Sequence, residues 1–135
     1  MTKEDRETDI ADYVHYLDSL CEHLDIRQRH PVLLGFSQGV ATASRWVASG
    51  VQPFGHLILW AGVFPPDFDW KTGLSELTKM RVDVALGDSD PFFEDNLLTD
   101  TAANLNRMQV PYSLHRFKGG HAIDPDLLHE LTRAH

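Results

Sequence analysis

The stretch PVLLGFSQGVATASRW, residues 31–46, places a single serine between two glycines, at the junction of two different patterns. Before the junction, residues 32–34 form a short apolar run that is typical of a buried β-strand. After it, residues 38–49 carry apolar side chains at helical spacing and are followed by Gly50, a residue type that commonly ends helices. The stretch therefore predicts a strand, a tight turn and a helix, with the serine on the turn.

The turn itself, Gly35-Phe36-Ser37-Gln38-Gly39, has the form Gly-x-Ser-x-Gly. Between a strand and a helix this form is the nucleophile elbow, in which the serine backbone is strained and its hydroxyl stands above the sheet. The start of the helix also directs the Gln38 N–H toward the position where an oxyanion would develop. The alternative interpretation is an ordinary tight turn between a strand and a helix.

The alternation of helix and strand continues along the whole chain. Further helices are predicted at about residues 4–25, 74–79 and 97–108 and from Asp124-Pro125 onward, and further strands at residues 56–60, 82–86 and 112–117. Such alternation is typical of a mainly parallel sheet covered by helices on both faces. We therefore expect a single α/β domain over residues 1–135, with a four-stranded sheet.

Length, charge and cysteine content restrict the possible classes of protein. A chain of 135 residues suits one domain, and its formal net charge of −8 argues against nucleic acid or an anionic membrane as the main partner. No apolar run approaches the about 18 residues of a membrane span, and the charged first residues lack the apolar core of a signal peptide. The single cysteine, Cys21, allows no internal disulfide and is expected to be a buried thiol. These features predict a cytoplasmic protein.

A serine hydroxyl needs a base, and the base needs a group that orients it. After the predicted third strand come Asp88 and Asp90, and after the fourth comes His121, so that the order is serine, acid, histidine. Asp90 is the better candidate for the acid because it lies further beyond the strand. Asp88 is expected to cap the turn by accepting hydrogen bonds from nearby backbone amides. The alternatives are that Asp90 only caps a helix and that His121 is a solvated loop residue.

Three segments, GFSQG, GDSDPF and FKGGHAI, resemble the catalytic segments of the α/β-hydrolase fold. More narrowly, they are similar to those of the carboxylesterase, phospholipase and acyl-protein thioesterase group. The resemblance implies a serine hydrolase acting on small-molecule esters or thioesters, without a cofactor. It implies Ser37 as nucleophile, His121 as general base and acid, Asp90 as the residue that orients His121, and the Gln38 amide as an oxyanion donor.

The chain also departs from the family pattern, because it resembles only the C-terminal two-thirds of a family member. Family members have several strands before the helix that leads into the elbow, and this sequence starts at that helix. The loop that would carry a second oxyanion N–H is therefore expected to be absent, which predicts weak hydrolysis. The alternative function is a non-catalytic scaffold of the same fold, or a fragment that needs a partner segment.

Aromatic residues follow two of the predicted strands and are candidates for a substrate pocket. They are Phe64, Phe68 and Trp70 after the second strand and Phe92 and Phe93 after the third. The alternative is that they cover the top of the core. A metal site is poorly supported, because His115 and His121 are expected on a strand and in a loop, and no Cys/His spacing fits zinc.

The predicted first strand raises the question of what covers it. In the family's strand order Val32, Leu33 and Leu34 belong in the middle of the sheet, so without the earlier strands they would form an edge. An apolar edge presents unpaired N–H and C=O groups that pair with other chains. We therefore expect a homo-oligomer, or pairing with a separate segment, through this edge.

Overall fold

A computed structural model describes residues 3–26, 29–91 and 97–133. The helices and strands are α1 (Lys3–His23), β1 (Val32–Phe36), α2 (Gly39–Ser49), β2 (His56–Trp60), α3 (Trp70–Leu77), β3 (Arg81–Gly87), α4 (Leu97–Arg107), β4 (Ser113–Phe117) and α5 (Pro125–Thr132). The four strands of the described residues form one sheet in the order β1-β2-β3-β4, and every neighbouring pair is parallel. The predicted α/β class with a parallel four-stranded sheet is confirmed.

Most predicted elements differ from the structure by one or two residues at their ends, and α3 differs most. The sequence pattern predicted a helical turn at residues 74–79, whereas α3 begins at Trp70 and ends at Leu77. The earlier start follows from the cap residue Asp69, whose carboxylate accepts hydrogen bonds from the amides of Lys71 and Thr72. A side-chain cap satisfies helix-end amides independently of apolar spacing, which is why the spacing alone missed it.

Burial across the sheet falls from the centre to the edges. All five residues of β2 are buried, and β3 is buried except for Arg81. The edge strands are more open, since β1 is mostly half-buried and β4 includes three exposed residues. The central strands are nearly continuous apolar runs, as parallel strands covered on both faces should be.

Helix α2 packs closely on the sheet because its neighbour in sequence, β1, carries a glycine at the contact. A Cβ atom at Gly35 would lie 2.7 Å from the carbonyl oxygen of Gly39 and 3.0 Å from the Cβ of Ala43. At its other end, α2 is closed by Gly50, which has φ of 73° and donates its N–H to the carbonyl of Val47. The close approach at Gly35 holds the start of α2, and thus the serine before it, near the sheet, whereas Gly50 ends the helix.

Helix α1 packs on α2 through polar side chains. The indole N–H of Trp46 donates to Asp18 at 2.8 Å, and Arg45 donates to the hydroxyl of Tyr13. Cys21, near the end of α1, is a buried free thiol, as expected, and burial, with a smaller contribution from the Asp18 charge, raises its pKa above the ordinary value. Among the described residues, no helix combines the length and the apolar character needed to cross a membrane.

Candidate active site

The loops after β1, β3 and β4 bring three side chains together at the carboxyl edge of the sheet. His121 Nε2 lies 3.0 Å from Ser37 Oγ, and His121 Nδ1 lies 2.8 Å from Asp90 Oδ2. Ser37 and His121 are 84 residues apart in the chain. Loops at this edge of a parallel sheet form the usual ligand site of open α/β folds. The predicted serine and the predicted acid are therefore each within hydrogen-bond distance of the predicted histidine.

The backbone at Ser37 is strained and is held by its neighbours. Its φ is 57°, in the left-handed region that non-glycine residues rarely adopt. The Ser37 N–H donates to the carbonyl of Trp60 at 2.8 Å, and its own carbonyl accepts from the amide of Val40. On the other side, a Cβ atom at Gly62 would clash with the Ser37 carbonyl oxygen, so Gly62 lies directly against the turn. A non-glycine residue persists in this conformation only where its surroundings enforce it.

Asp90 is positioned by backbone hydrogen bonds between the loops after β3 and β4. The amide of Asp88 donates to the carbonyl of Phe117 at 2.9 Å, and that of Ser89 donates to the carbonyl of Gly119 at 2.8 Å. The Asp90 amide turns back to the carbonyl of Gly87. The Asp90 side chain is fully buried, whereas that of His121 is 32% exposed. The Asp90 side of the Ser37, His121 and Asp90 cluster is thus enclosed, whereas the His121 side faces solvent.

The capping role predicted for Asp88 is wrong. Its side chain is exposed, and within the described residues it accepts no hydrogen bond from the turn. The turn is closed instead by the backbone bonds from Asp88, Ser89 and Asp90. Because these amides are already paired with carbonyls, the carboxylate of Asp88 has no free donor to cap.

Two aromatic residues that the sequence analysis did not select hold the histidine loop. The ring of Phe36 lies 5.1 Å from that of His121, centroid to centroid. The indole N–H of Trp60 donates to the carbonyl of Ala122 at 3.0 Å, across 62 positions of sequence. The sequence gives one indication that Phe36 and Trp60 lie near the site. Each is the last residue of an apolar strand, and the carboxyl ends of these strands face the site.

The Gln38 amide keeps the position that the prediction requires. Gln38 precedes α2 with helical backbone angles, φ of −64° and ψ of −23°. Amides at the start of a helix have no partner inside the helix, and among the described residues the Gln38 N–H donates to no other group. An oxyanion donor must have an N–H without another acceptor. That the Gln38 amide acts as an oxyanion donor stays a prediction.

The aromatic pocket candidates have a more buried position than expected. Phe64 and Phe68 are only 7% and 6% exposed, and both rings pack against Trp70 at centroid distances of 4.9 Å and 4.7 Å. Phe64 also borders a cavity of about 400 Å³. This burial fits the alternative that the cluster covers the core, with only its outer side open to a cavity. Phe92 and Phe93 lie outside the described residues.

A second aspartate–histidine cluster, which the sequence analysis missed, lies within the sheet. Asp83 contacts His56 Nε2 at 2.5 Å, Arg81 Nε at 2.8 Å and His115 Nε2 at 2.7 Å. Burial alone would raise the pKa of the Asp83 carboxyl, but the hydrogen bonds with His115 and His56 and the charge of Arg81 outweigh it and hold that pKa below its ordinary range. Among the described residues, no set of three or more His, Cys, Asp or Glu side chains is arranged to hold a metal ion.

A known protein family matches this chain. The phospholipase/carboxylesterase family matches residues 2–134, almost the whole chain. The comparison with curated proteins gives no match.

Solved structures with similar folds include three hydrolases. A carboxylesterase from Mesorhizobium loti has a TM-score of 0.76 at 15% identity, over 100% of this chain and 64% of its own. The esterase PE8 has a TM-score of 0.71 at 23% identity, over 95% of this chain and 59% of its own. Acyl-protein thioesterase 2 from Zea mays has a TM-score of 0.61 at 14% identity, over 90% and 64%. These likenesses establish the shared fold, and the chain spans about three fifths of the length of each of these proteins.

Proposed function

Because the chain belongs to the phospholipase/carboxylesterase family, we propose that it hydrolyses carboxylic esters or thioesters through an acyl-enzyme intermediate on Ser37. The observation that carries the proposal is the position of His121, whose two ring nitrogens lie 3.0 Å from Ser37 Oγ and 2.8 Å from Asp90 Oδ2. A base within reach of a hydroxyl and oriented by a carboxylate is the arrangement that nucleophilic catalysis by serine requires.

The first half of the reaction acylates the serine. With its proton on Nδ1, His121 donates to Asp90 and accepts the Ser37 hydroxyl proton at Nε2. Ser37 Oγ then bonds to the carbonyl carbon of the substrate, and the carbonyl oxygen becomes an oxyanion. The Nε2 proton passes to the departing alcohol or thiol as the C–O or C–S bond breaks. Buried Asp90 stabilises the imidazolium formed between the two proton transfers.

The second half returns the enzyme to its starting state. A water molecule gives one proton to His121 Nε2 and bonds to the acyl carbon, and a second oxyanion forms. Its collapse breaks the bond to Ser37 Oγ, which takes the proton back from His121. The products are a carboxylic acid and the regenerated serine. The partial exposure of the His121 side chain gives water access to this step.

The Gln38 amide is our proposed donor to both oxyanions. It lies directly after Ser37, at the start of α2, where the helix dipole favours negative charge. Loss of one oxyanion donor typically lowers turnover by about 10²–10³, which is the size of the contribution that we propose for this amide.

Covalent labelling tests the proposal with little dependence on turnover. A fluorophosphonate probe should add to the purified chain once, and peptide mass spectrometry should locate it on Ser37. Hydrolysis of p-nitrophenyl acetate and butyrate should be lost together with labelling in the Ser37→Ala variant. A folded wild-type chain that takes up no probe would contradict the proposal and favour the non-catalytic scaffold.

We further propose that two copies of the chain pair through β1. This strand is an edge of the described sheet, and Val32, Leu33 and Leu34 are only half-buried. Its outer N–H and C=O groups can pair with the same strand of a second copy across a two-fold axis. Light scattering should give the mass of a dimer, and Leu33→Lys should shift it toward the monomer. A monodisperse monomer of the wild-type chain would contradict this pairing.

A further inference from the structure

Trp60, the last residue of β2, binds the loops of both the candidate nucleophile and the candidate base. Its main-chain carbonyl accepts a hydrogen bond from the Ser37 N–H at 2.8 Å. Its indole N–H donates to the carbonyl of Ala122, the residue after His121, at 3.0 Å. Ser37 and His121 are 84 residues apart in the chain. Their loops are nevertheless held by two groups of the same residue.

The side chain of Trp60 extends from β2 across β3 to β4. Trp60 is fully buried, and its ring lies 5.5 Å from that of Phe117, the last residue of β4. The register pairs Trp60 with Ala85 of β3, and Gly87 lies on the same face of that strand because side chains alternate. These two small residues leave room for the indole above β3. Packing within the core therefore fixes the position of the indole N–H.

The histidine loop needs such a fixed point, because one side of it faces solvent. Ala122 is exposed, and the indole bond ties its carbonyl to the core. The position of this carbonyl restricts where the preceding residue, His121, can place its ring. His121 Nε2 lies 3.0 Å from Ser37 Oγ, and a separation of about 3.6 Å would no longer be a hydrogen bond. A small displacement of the loop would therefore break the contact.

We propose that Trp60 is a positioning residue, which binds both loops and thereby keeps His121 Nε2 within hydrogen-bond distance of Ser37 Oγ. Its effect on turnover rests on the proposed ester hydrolysis, whereas the contact that it maintains is measured without any reaction. Trp60 acts through His121 and takes no part in the chemical steps.

Two substitutions remove the indole N–H with different effects on packing. Trp60→Phe also shortens the side chain and leaves a void in the core. Trp60→benzothienylalanine keeps the shape of the ring system and removes only the N–H, so it decides the test if Trp60→Phe fails to fold. Trp46→Phe is the matched control, because Trp46 is also buried and donates its indole N–H to Asp18, on α1, at 2.8 Å. This control shows what the loss of a buried indole does away from the site.

The ring-nitrogen signals of His121 in NMR spectra measure its contact with Ser37 directly. In the wild-type background, Ser37→Ala should move the Nε2 signal, because it removes the hydroxyl 3.0 Å away. In both Trp60 variants most of this displacement should be absent, and in Trp46→Phe it should remain in full. A full displacement in a folded Trp60 variant would overturn the proposal. A wild-type signal that Ser37→Ala does not move would overturn it as well.

Rates of p-nitrophenyl butyrate hydrolysis measure the consequence for turnover. Per folded molecule, Trp60→benzothienylalanine should lower kcat by about tenfold to a hundredfold, because a misplacement of about 1 Å costs up to 10²-fold. KM should change by less than about twofold, since the fully buried Trp60 cannot contact the substrate. Trp46→Phe should keep the wild-type kcat.

An unchanged kcat in the Trp60 variants of a chain that hydrolyses esters would overturn the proposal. If the wild-type chain hydrolyses no ester, the proposed function fails, and the NMR comparison still decides whether Trp60 positions His121.

Discussion

Two buried aspartates in this protein bind histidines, and they do so in different surroundings. Asp90 lies in the loop after β3, and His121 connects it to the hydroxyl of Ser37. Asp83 lies inside β3 and contacts histidines on both neighbouring strands as well as Arg81. The residue types are similar, and each cluster has one partly exposed imidazole, but only in the Asp90 cluster does the histidine contact a serine hydroxyl.

The difference shows how the position along a strand decides what an aspartate–histidine pair can do. Inside the sheet, Asp83 is surrounded by three donors, which compensate its buried charge and lower its pKa. Beyond the strand end, the loop of Asp90 leaves the far side of His121 open to Ser37 and to solvent. The Asp83 network is suited to stability, and the Asp90 cluster has the geometry that the proposed proton transfer needs.

The largest effect should come from the serine at the open end of the Asp90 cluster. Ser37→Ala should reduce ester hydrolysis by several orders of magnitude, by analogy with the loss of about 10⁶ in kcat when a serine protease loses its nucleophile. Initial rates with p-nitrophenyl butyrate measure this. Ser75→Ala, at an exposed serine of α3, is the matched control and should keep the wild-type rate. Most of the rate surviving in Ser37→Ala would place the reaction elsewhere.

The carboxylate of Asp90 should affect turnover more than stability. Asp90→Asn should lower kcat by about 10⁴, because the amide favours the wrong histidine tautomer, by analogy with serine proteases. Asp88→Asn, two residues away and exposed, is the control and should change neither kcat nor the free energy of unfolding by more than about 0.5 kcal/mol. If Asp88→Asn gave the larger loss of kcat, the acid role would move to Asp88.

Asp83 should give the reverse pattern. Asp83→Asn leaves His56, His115 and Arg81 without their shared anion, and breaking a buried charge network costs about 3 kcal/mol or more of the free energy of unfolding. The residual activity of the folded fraction should stay within a few-fold of wild type. Chemical denaturation and initial rates measured on the same samples separate the two aspartates. A large fall in kcat with unchanged stability would make Asp83 part of the reaction.

The smallest effect concerns the pH dependence of stability. The folded-state pKa of Asp83 is lowered, so the ionised form is favoured by folding. Its contribution is fully present above the unfolded pKa of about 3.9 and is lost as the pH falls through the lower folded value. The stability difference between wild type and Asp83→Asn should therefore be constant near neutral pH and shrink in acid. Denaturation curves from pH 7 to pH 3 that keep a constant difference would contradict this.

The sequence by itself determined the features that depend on neighbouring residues. Apolar runs located β1, β2 and β3, and an alternating pattern located β4. Gly50 located the end of α2 and Asp124-Pro125 the start of α5, because backbone preference and burial act within a few residues. The Gly-x-Ser-x-Gly turn predicted the strained conformation of Ser37, which the structure has. The order of Ser37, Asp90 and His121, after β1, β3 and β4, also identified the side chains that meet at the sheet edge.

Tertiary structure alone decided which side chains meet across the sheet. Asp83 is one acidic residue in an apolar strand, and nothing local connects it with His56 and His115, which lie 27 and 32 residues away. The sequence favoured Asp90 over Asp88, but the contact between Asp90 and His121 depends on the backbone bonds that join the two loops. The burial of Phe64 depends on how its ring packs against Phe68 and Trp70. Strand order and register set these contacts. Both depend on many long-range contacts and not on any short sequence pattern.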